Sequence, residues 1–238
     1  MRDFTPLWPG GPVFAQAENQ RLSTDCVLLA DFVQLRGSQR GIDLGCASGA
    51  ISLLLLVREG RLHMTGLELN TEAAETAREN MAKNGLAGRC RILSGDIRTH
   101  RELFAAGSFD LVVANPPYFP PERGRTSPNP AREAARSESC CTLEDLCRAS
   151  RWLLPSGGSF ALVHRPERLS ELFCTMTAHG IEPKRLRMVL SQPGRAPSLV
   201  LVEGRRDGKP GLSIEPALVL RNTDGSESEE YRRIYHRA

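Results

Sequence analysis

Aromatic side chains are scarce, 5% of the 238 residues. That argues against a multi-base stacking platform of the kind single-strand nucleic-acid binders spread over a surface. No Cys-x-x-Cys and no histidine cluster at zinc spacing occur. The seven cysteines (26, 46, 90, 140, 141, 147 and 174) are an odd set that fits reduced thiols and no metal. The longest apolar runs fall far short of the ~20 residues a membrane helix needs. The opening "MRDFTPLWPGG" has no apolar core of a secretory signal. A soluble, cytoplasmic chain without membrane partner is expected. Charge of one sign is also missing: a formal +3 permits a polyanionic partner without demanding one. There is no internal repeat and no low-complexity tract.

What is present is an ordinary globular composition, 40% apolar and 25% charged, with short apolar runs alternating with helix-period segments. "RGIDLG" is a strand ending in a glycine turn, and Ala50–Arg58 continues as a helix. "LHMTGLEL" is the second strand. "NTEAAETARENMAKNG" is a helix capped by Asn70 or Thr71, striped by Ala74, Ala77 and Met81, and stopped at Gly85. "CRILSGD" and "FDLVVANPP" follow as strands, the latter closed by two prolines. After a long Pro/Arg/Ser-rich loop come a helix over Thr142–Leu153, the strand "SFALVHR", a helix over Arg168–Ala178, and the strands "KRLRMVL" and "SLVLVEGR". The loop "SQPGRAP" between that last pair is too short for a crossover, so they should be antiparallel.

The pattern predicts an α/β, Rossmann-like, doubly wound, mostly parallel seven-stranded sheet with one reversed strand. Residues 1–35 read as an N-terminal extension, 36–206 as the catalytic domain, and 207–238 as a strand/helix extension packed on it. A ligand is expected at the carboxyl ends of the strands.

The glycine turn narrows the ligand. A dinucleotide fingerprint is Gly-x-Gly-x-x-Gly; here the spacing is Asp43-x-Gly45-x-x-x-Gly49, with Cys46, Ala47 and Ser48 between the glycines. An acid two residues before the turn is a poor neighbour for pyrophosphate and a good one for an ammonium. S-adenosyl-L-methionine carries an ammonium and a sulfonium but no phosphate. Glu68, 25 residues after Asp43, ends the second strand beside Leu69, placed to accept both ribose hydroxyls. Asp96 ends the third and is placed to take the adenine amino group, with Ile97 against the ring. Three acids at three successive strand ends favour the methyl donor over a dinucleotide.

"DLGCASG", "LEL", "SGDIR" and "NPPYF", in this order, resemble a class I S-adenosylmethionine-dependent methyltransferase. "NPPY" at Asn115, Pro116, Pro117 and Tyr118 resembles the tetrapeptide of enzymes that methylate adenine N6, cytosine N4 or glutamine amide nitrogen. Such a nitrogen is a weak nucleophile because its lone pair is delocalised. The Asn115 side-chain oxygen and the Pro116 carbonyl can accept its two N–H bonds, drive it towards tetrahedral geometry and aim its lone pair at the methyl. Pro117 would stiffen the loop and Tyr118 stack on the flat group.

"STDCVLLADF" (Ser23–Phe32) is similar to "GTDAVLLA", which precedes the fold in the bacterial tRNA (adenine-37 N6)-methyltransferase family acting on valine tRNA. "SPNPAREAARSE", "LVHRPERLSEL", "IEPKRLR", "PSLVLVEG" and "EPALVL…EEY" resemble that family's Gram-positive branch. The resemblance covers roughly residues 14–236 and implies Thr24 and Asp25 beside the cofactor and a tRNA partner. Departures are Ser23 for glycine and Ala47 for the middle glycine.

A tRNA loop needs phosphate contacts and an unstacked base. Arg132 and Arg136, with Arg123 and Arg125, lie in the loop after Tyr118, and Arg195 lies in the hairpin loop. Lys184, Arg185, Arg187, Arg205, Arg206 and Lys209 crowd the C-terminal third. One flipped base on Tyr118 and Phe119 suits the few aromatics. Release-factor glutamine methyltransferases share NPPY but resemble a helical substrate domain joined to the catalytic fold, whereas "TPLWPGGPVF" is not helical. Another nucleic-acid amino-methyltransferase, or a non-catalytic nucleotide-binding module, are the remaining alternatives.

Overall fold

The computed structural model describes residues 2–17, 22–116 and 141–237. A two-stranded hairpin, β1 (Thr5–Pro6) with β2 (Val13–Phe14), opens the chain, followed by α1 (Thr24–Phe32). The main succession is β3 (Arg40–Leu44), α2 (Ala50–Arg58), β4 (His63–Glu68), α3 (Thr71–Lys83), β5 (Cys90–Ser94), α4 (His100–Leu103) and β6 (Leu111–Ala114). It continues with α5 (Leu143–Leu153), β7 (Ser159–His164), α6 (Leu169–Ala178), β8 (Ile181–Leu190), β9 (Pro197–Arg206), β10 (Ser213–Val219) and α7 (Glu229–Ile234).

Local chemistry sets the ends. Asn70 caps α3 by accepting from the Ala73 amide at 2.9 Å, and Gly85 follows it at φ 68°. Thr142 and Asp145 cap each other's backbone at the start of α5, a full capping box.

Apart from the β1–β2 hairpin, the other eight strands form one sheet in the order β10-β8-β9-β7-β6-β3-β4-β5. β9 alone runs against its neighbours β7 and β8; every other pairing is parallel. The expected seven strands become eight. "SIEPALV", assigned above to an appended extension, pairs with β8 from Ser213↔Arg185 to Val219↔Leu190, because the exposed edge of β8 accepts a further parallel strand.

Period-two alternation divides the core. Leu111, Val113, Ala161, Val163, Leu199 and Leu201 face the side carrying α1, α2 and α3. Val112, Ala114, Phe160, Leu162, Val200 and Val202 face α5 and α6. Both terminal segments join the first side through Phe14, Leu218 and Ile234, and Trp8 stacks on His236 at 4.0 Å between ring centroids. The strand order reverses beside β3, which lies between β4 and β6, and there the crevice opens. Leu44 and Ala114 are register partners, so Gly45 and Asn115 leave the sheet side by side.

Candidate active site

The turn after β3 holds three left-handed residues: Gly45 (φ 74°), Ala47 (φ 49°) and Gly49 (φ 83°). Glycine adopts this conformation freely, whereas alanine at 47 costs roughly 1–2 kcal/mol. A Cβ on Gly49 would lie 3.1 Å from Ala77 and Met81, so α3 closes that position as well. Gly45 and Cys46 amides donate to the Leu67 carbonyl at 2.8 and 3.2 Å. The Ala47 amide donates to Glu68 Oε2 at 2.8 Å, and Glu68 Oε1 accepts from the Asn70 amide at 2.8 Å. Glu68 thus braces the turn while an ionised carboxylate still has lone pairs for further donors.

Asp43 is fully buried beneath this turn and does not line the cavity above it. Ser52 Oγ donates to its Oδ2 at 3.0 Å, and its Oδ1 has no partner. Burial, with the Glu68 charge adding to it and Ser52 opposing, pushes its pKa up to about 7. Asp43 therefore lies one layer below the residues that line the cavity.

The cavity at the switch point has a volume of about 300 Å³. Gly45, Cys46, Ala47 and Ser48 form one wall, with Ala50 and Ile51 of α2. Phe14, Leu22, Ser23 and Cys26 form another, and Asn115 closes the end. Asn115 Nδ2 donates to Cys26 Sγ at 3.2 Å, and Ser23 Oγ approaches the same sulfur at 3.5 Å. Half-buried Pro116 follows directly.

Helical geometry separates the residues at the start of α1. Ser23 and Cys26, three apart, share the cavity face; Thr24 is rotated about 100° away and shares a side-chain hydrogen bond with Tyr235. Thr24 and half-buried Asp25 do not line the cavity. At the tip of β5, Asp96 is clamped by Arg98 (Nη2 to Oδ2 2.6 Å) and caps the next turn through the Arg98 amide at 2.8 Å. That pairing holds its carboxyl below the usual range. Ile97 is buried and Leu69 is 45% exposed.

Three residues the sequence reading did not single out shape the site: Phe14, Cys26 and Asn80. Fully buried Asn80 accepts from the Ala15 amide (2.8 Å) and donates to the Ala15 and Ser48 carbonyls (2.9 and 2.8 Å). Ser48 Oγ accepts from the Ala17 amide at 3.0 Å, completing the tie between the N-terminal segment, α3 and the turn. The available signal was Asn80 and Asn84, one turn apart among α3's alanines.

Pro117, Tyr118, Phe119, Arg132 and Arg136, with Arg123 and Arg125, lie outside the described residues. Arg195 is exposed in the loop between β8 and β9, at the carboxyl edge shared with the cavity. The side chains of Lys184, Arg185, Arg187, Arg205 and Arg206 are drawn into the protein's own structure. Arg185 pairs with Glu203 and Glu215 (2.6 and 2.7 Å), Arg205 with Glu203 (3.0 Å) and Arg187 with Glu230 (2.8 Å). Arg206 donates to the Leu154 carbonyl, and Lys184 to that of Lys209. Arg205 is register partner of Ser159, the first residue of β7, which puts it at the edge opposite the cavity.

A left-handed turn braced by Glu68, a second acid, Asp96, at the neighbouring strand tip and an asparagine across a small crevice fit a donor bearing ammonium, ribose and adenine. Fold and site together define a class I methyltransferase, an enzyme that takes its methyl group from S-adenosyl-L-methionine.

Residues 11–177 match the family described as "Methyltransferase small domain", and the chain belongs to that family. A protein of Tolumonas auensis named tRNA1(Val) (adenine(37)-N6)-methyltransferase is 34% identical over 212 residues, 89% of this chain and 86% of that one. One of the same name from Porphyromonas gingivalis is 34% identical over 224 residues, 90% and 86% of the two chains. The fold is shared with a solved structure described as a predicted O-methyltransferase, Atu636 of Agrobacterium tumefaciens. Its TM-score is 0.74 at 21% identity, covering 90% of this chain and 97% of that one. Among the described residues no helix is long and apolar enough to cross a membrane, and no cluster of metal-ligating side chains is found.

Proposed function

We propose that this chain methylates the exocyclic N6 of an adenine in tRNA, at anticodon-loop position 37, in the cytoplasm. One observation carries the reading: Asn115 and Pro116 leave β6 next to the glycine turn, and Asn115 lines the same cavity as Gly45 to Ser48. Relatives that bear a tRNA adenine N6-methyltransferase name match along nearly the full chain, which supports the substrate class. The hairpin of residues 5–14 and an α1 built into the core fit this better than a helical release-factor-binding domain.

In this reading Glu68 accepts the ribose hydroxyls, Asp96 the adenine amino group beside Ile97 and Leu69, and Thr24 and Asp25 lie beside the cofactor at the start of α1. Asp43 favours a cation from beneath. When bound, S-adenosyl-L-methionine supplies an electrophilic methyl on a sulfonium. The Asn115 side-chain oxygen and the Pro116 carbonyl accept the two N–H bonds of the substrate amine and direct its lone pair. Pro117 stiffens that loop, Tyr118 and Phe119 stack on the base, and Arg132, Arg136 and Arg195 take phosphates. No general base precedes transfer, since the amine is neutral; a proton leaves the methylated nitrogen afterwards to water. The catalytic body of 36–206 works with 1–35 and 207–238 as its extensions.

Asn115→Ala tests this. Single-turnover transfer to tRNA should fall about 10²–10³-fold, the cost of one preorganised contact, while the donor dissociation constant from calorimetry stays near wild type. Wild-type turnover would remove Asn115 from the chemistry.

A further inference from the structure

We propose that Cys26 is a positioning residue for Asn115: its sulfur receives the asparagine amide N–H, fixes which end of the amide faces the substrate nitrogen, and is itself held by Ser23. The proposal rests on the role given to Asn115 above and deepens it.

The geometry is local and specific. Ser23 is the N-cap of α1 and Cys26 lies in its first turn, Asn115 comes from the tip of β6, and all three line one cavity. Two donors converge on one sulfur, Asn115 Nδ2 at 3.2 Å and Ser23 Oγ at 3.5 Å. A side-chain amide is planar, so fixing its nitrogen fixes its oxygen. Its terminal torsion is broad and close to two-fold, so rotation by half a turn exchanges the two ends at little intrinsic cost. For this reaction the exchange matters. The oxygen end accepts from the substrate amine, while the NH₂ end would present donors to donors. Sulfur distinguishes the ends because it accepts an N–H and is only a weak donor towards an oxygen. Ser23, donating to the same atom, keeps the sulfur turned towards the sheet tip.

The sulfur's own state is compatible with that task. Burial raises the Cys26 pKa, helped by the charges of Asp43 and Asp25 and opposed by the hydrogen bonds from Ser23 and Asn115. Cys26 therefore stays a neutral thiol near neutral pH. A thiolate in this place would be a nucleophile beside a sulfonium methyl and would be alkylated itself. The thiol offers acceptor lone pairs without that side reaction.

The test is steady-state kinetics with S-adenosyl-L-methionine and tRNA, with folding checked by circular dichroism and thermal midpoint. Cys26→Ala should lower kcat about tenfold, the scale of one lost hydrogen bond plus misorientation, with both KM values nearly unchanged. Cys26→Ser should recover part of the loss, since a hydroxyl accepts the same N–H but, unlike the thiol, also donates readily to the oxygen of the flipped amide. Ser23→Ala should give a smaller loss that disappears in the Cys26→Ala background. Cys26→Ala added to Asn115→Ala should cost nothing further. Wild-type kcat in folded Cys26→Ala, no recovery with serine, or an undiminished effect of Cys26→Ala in the Asn115→Ala background would overturn the proposal. Those failures leave Asn115 catalytic if Asn115→Ala alone is slow. Full turnover by Asn115→Ala instead removes the underlying reading and this inference with it.

Discussion

Asp43 is a carboxylic acid without solvent exposure and with one oxygen unpartnered, and burial lifts its pKa from 3.8 to about 7. Its sign in folding follows from linkage. Between these two values the folded chain binds a proton that the unfolded chain has already lost. The stability Asp43 contributes is therefore highest near pH 4, falls as pH rises towards 7, and is level above that. Other carboxyls, among them Asp96 and Glu171, are held low by arginines and slope the opposite way, so the informative quantity is a difference. Relative to wild type, Asp43→Asn should gain on the order of 2–4 kcal/mol between pH 4 and 8, read from urea unfolding at each pH. A constant difference across that range would rule out a raised Asp43 pKa. The sequence showed an acid before a glycine turn. It did not show that the acid lies under the turn, because depth depends on Ser52 and on how α2 packs. Ala47 is similar: legible as a missing glycine, while its left-handed φ of 49° emerges only from the folded turn.

Elements announced themselves where local chemistry ends them. Asn70, Gly85 and Thr142 mark helix boundaries through caps that need no tertiary partner. α1 was harder to see as a helix, since Val27, Leu28, Leu29, Ala30 and Phe32 are all buried and leave no polar stripe. α3 conceals its most consequential side chain. Asn80 looks like part of a polar face but is fully buried, with three hydrogen bonds binding residues 15 and 48 together. Asn80→Ala should cost about 2–4 kcal/mol, because it strands an amide and two carbonyls without partners. It should also weaken donor binding, as the segment it holds carries Phe14 into the cavity. Thermal unfolding and calorimetry check both effects; an unchanged midpoint would mean that the N-terminal segment is held by other contacts.

At the scale of the whole molecule, the alternation of strands and helices, the reversed β9 and a cavity at the strand tips were legible, because crossover handedness and loop length constrain topology strongly. The eighth strand was visible as a strand but not as part of the sheet, since nothing local distinguishes an appended strand from an edge strand. The C-terminal cations were less legible. Lys184 to Lys209 read equally as phosphate contacts or as a solvated basic surface, and the fold pairs Arg185, Arg187 and Arg205 with Glu203, Glu215 and Glu230, acids mostly distant in sequence. Arg195, by contrast, stands exposed at the carboxyl edge where Asn115 leaves the sheet. The central claim is tested most directly by incubating the enzyme with labelled S-adenosyl-L-methionine and separate pools of tRNA, rRNA and release factor. Mass spectrometry of the labelled product then locates the methyl group. N6-methyladenosine at position 37 of a tRNA is the predicted result, and label on a release-factor glutamine, or on no polymer, would contradict it.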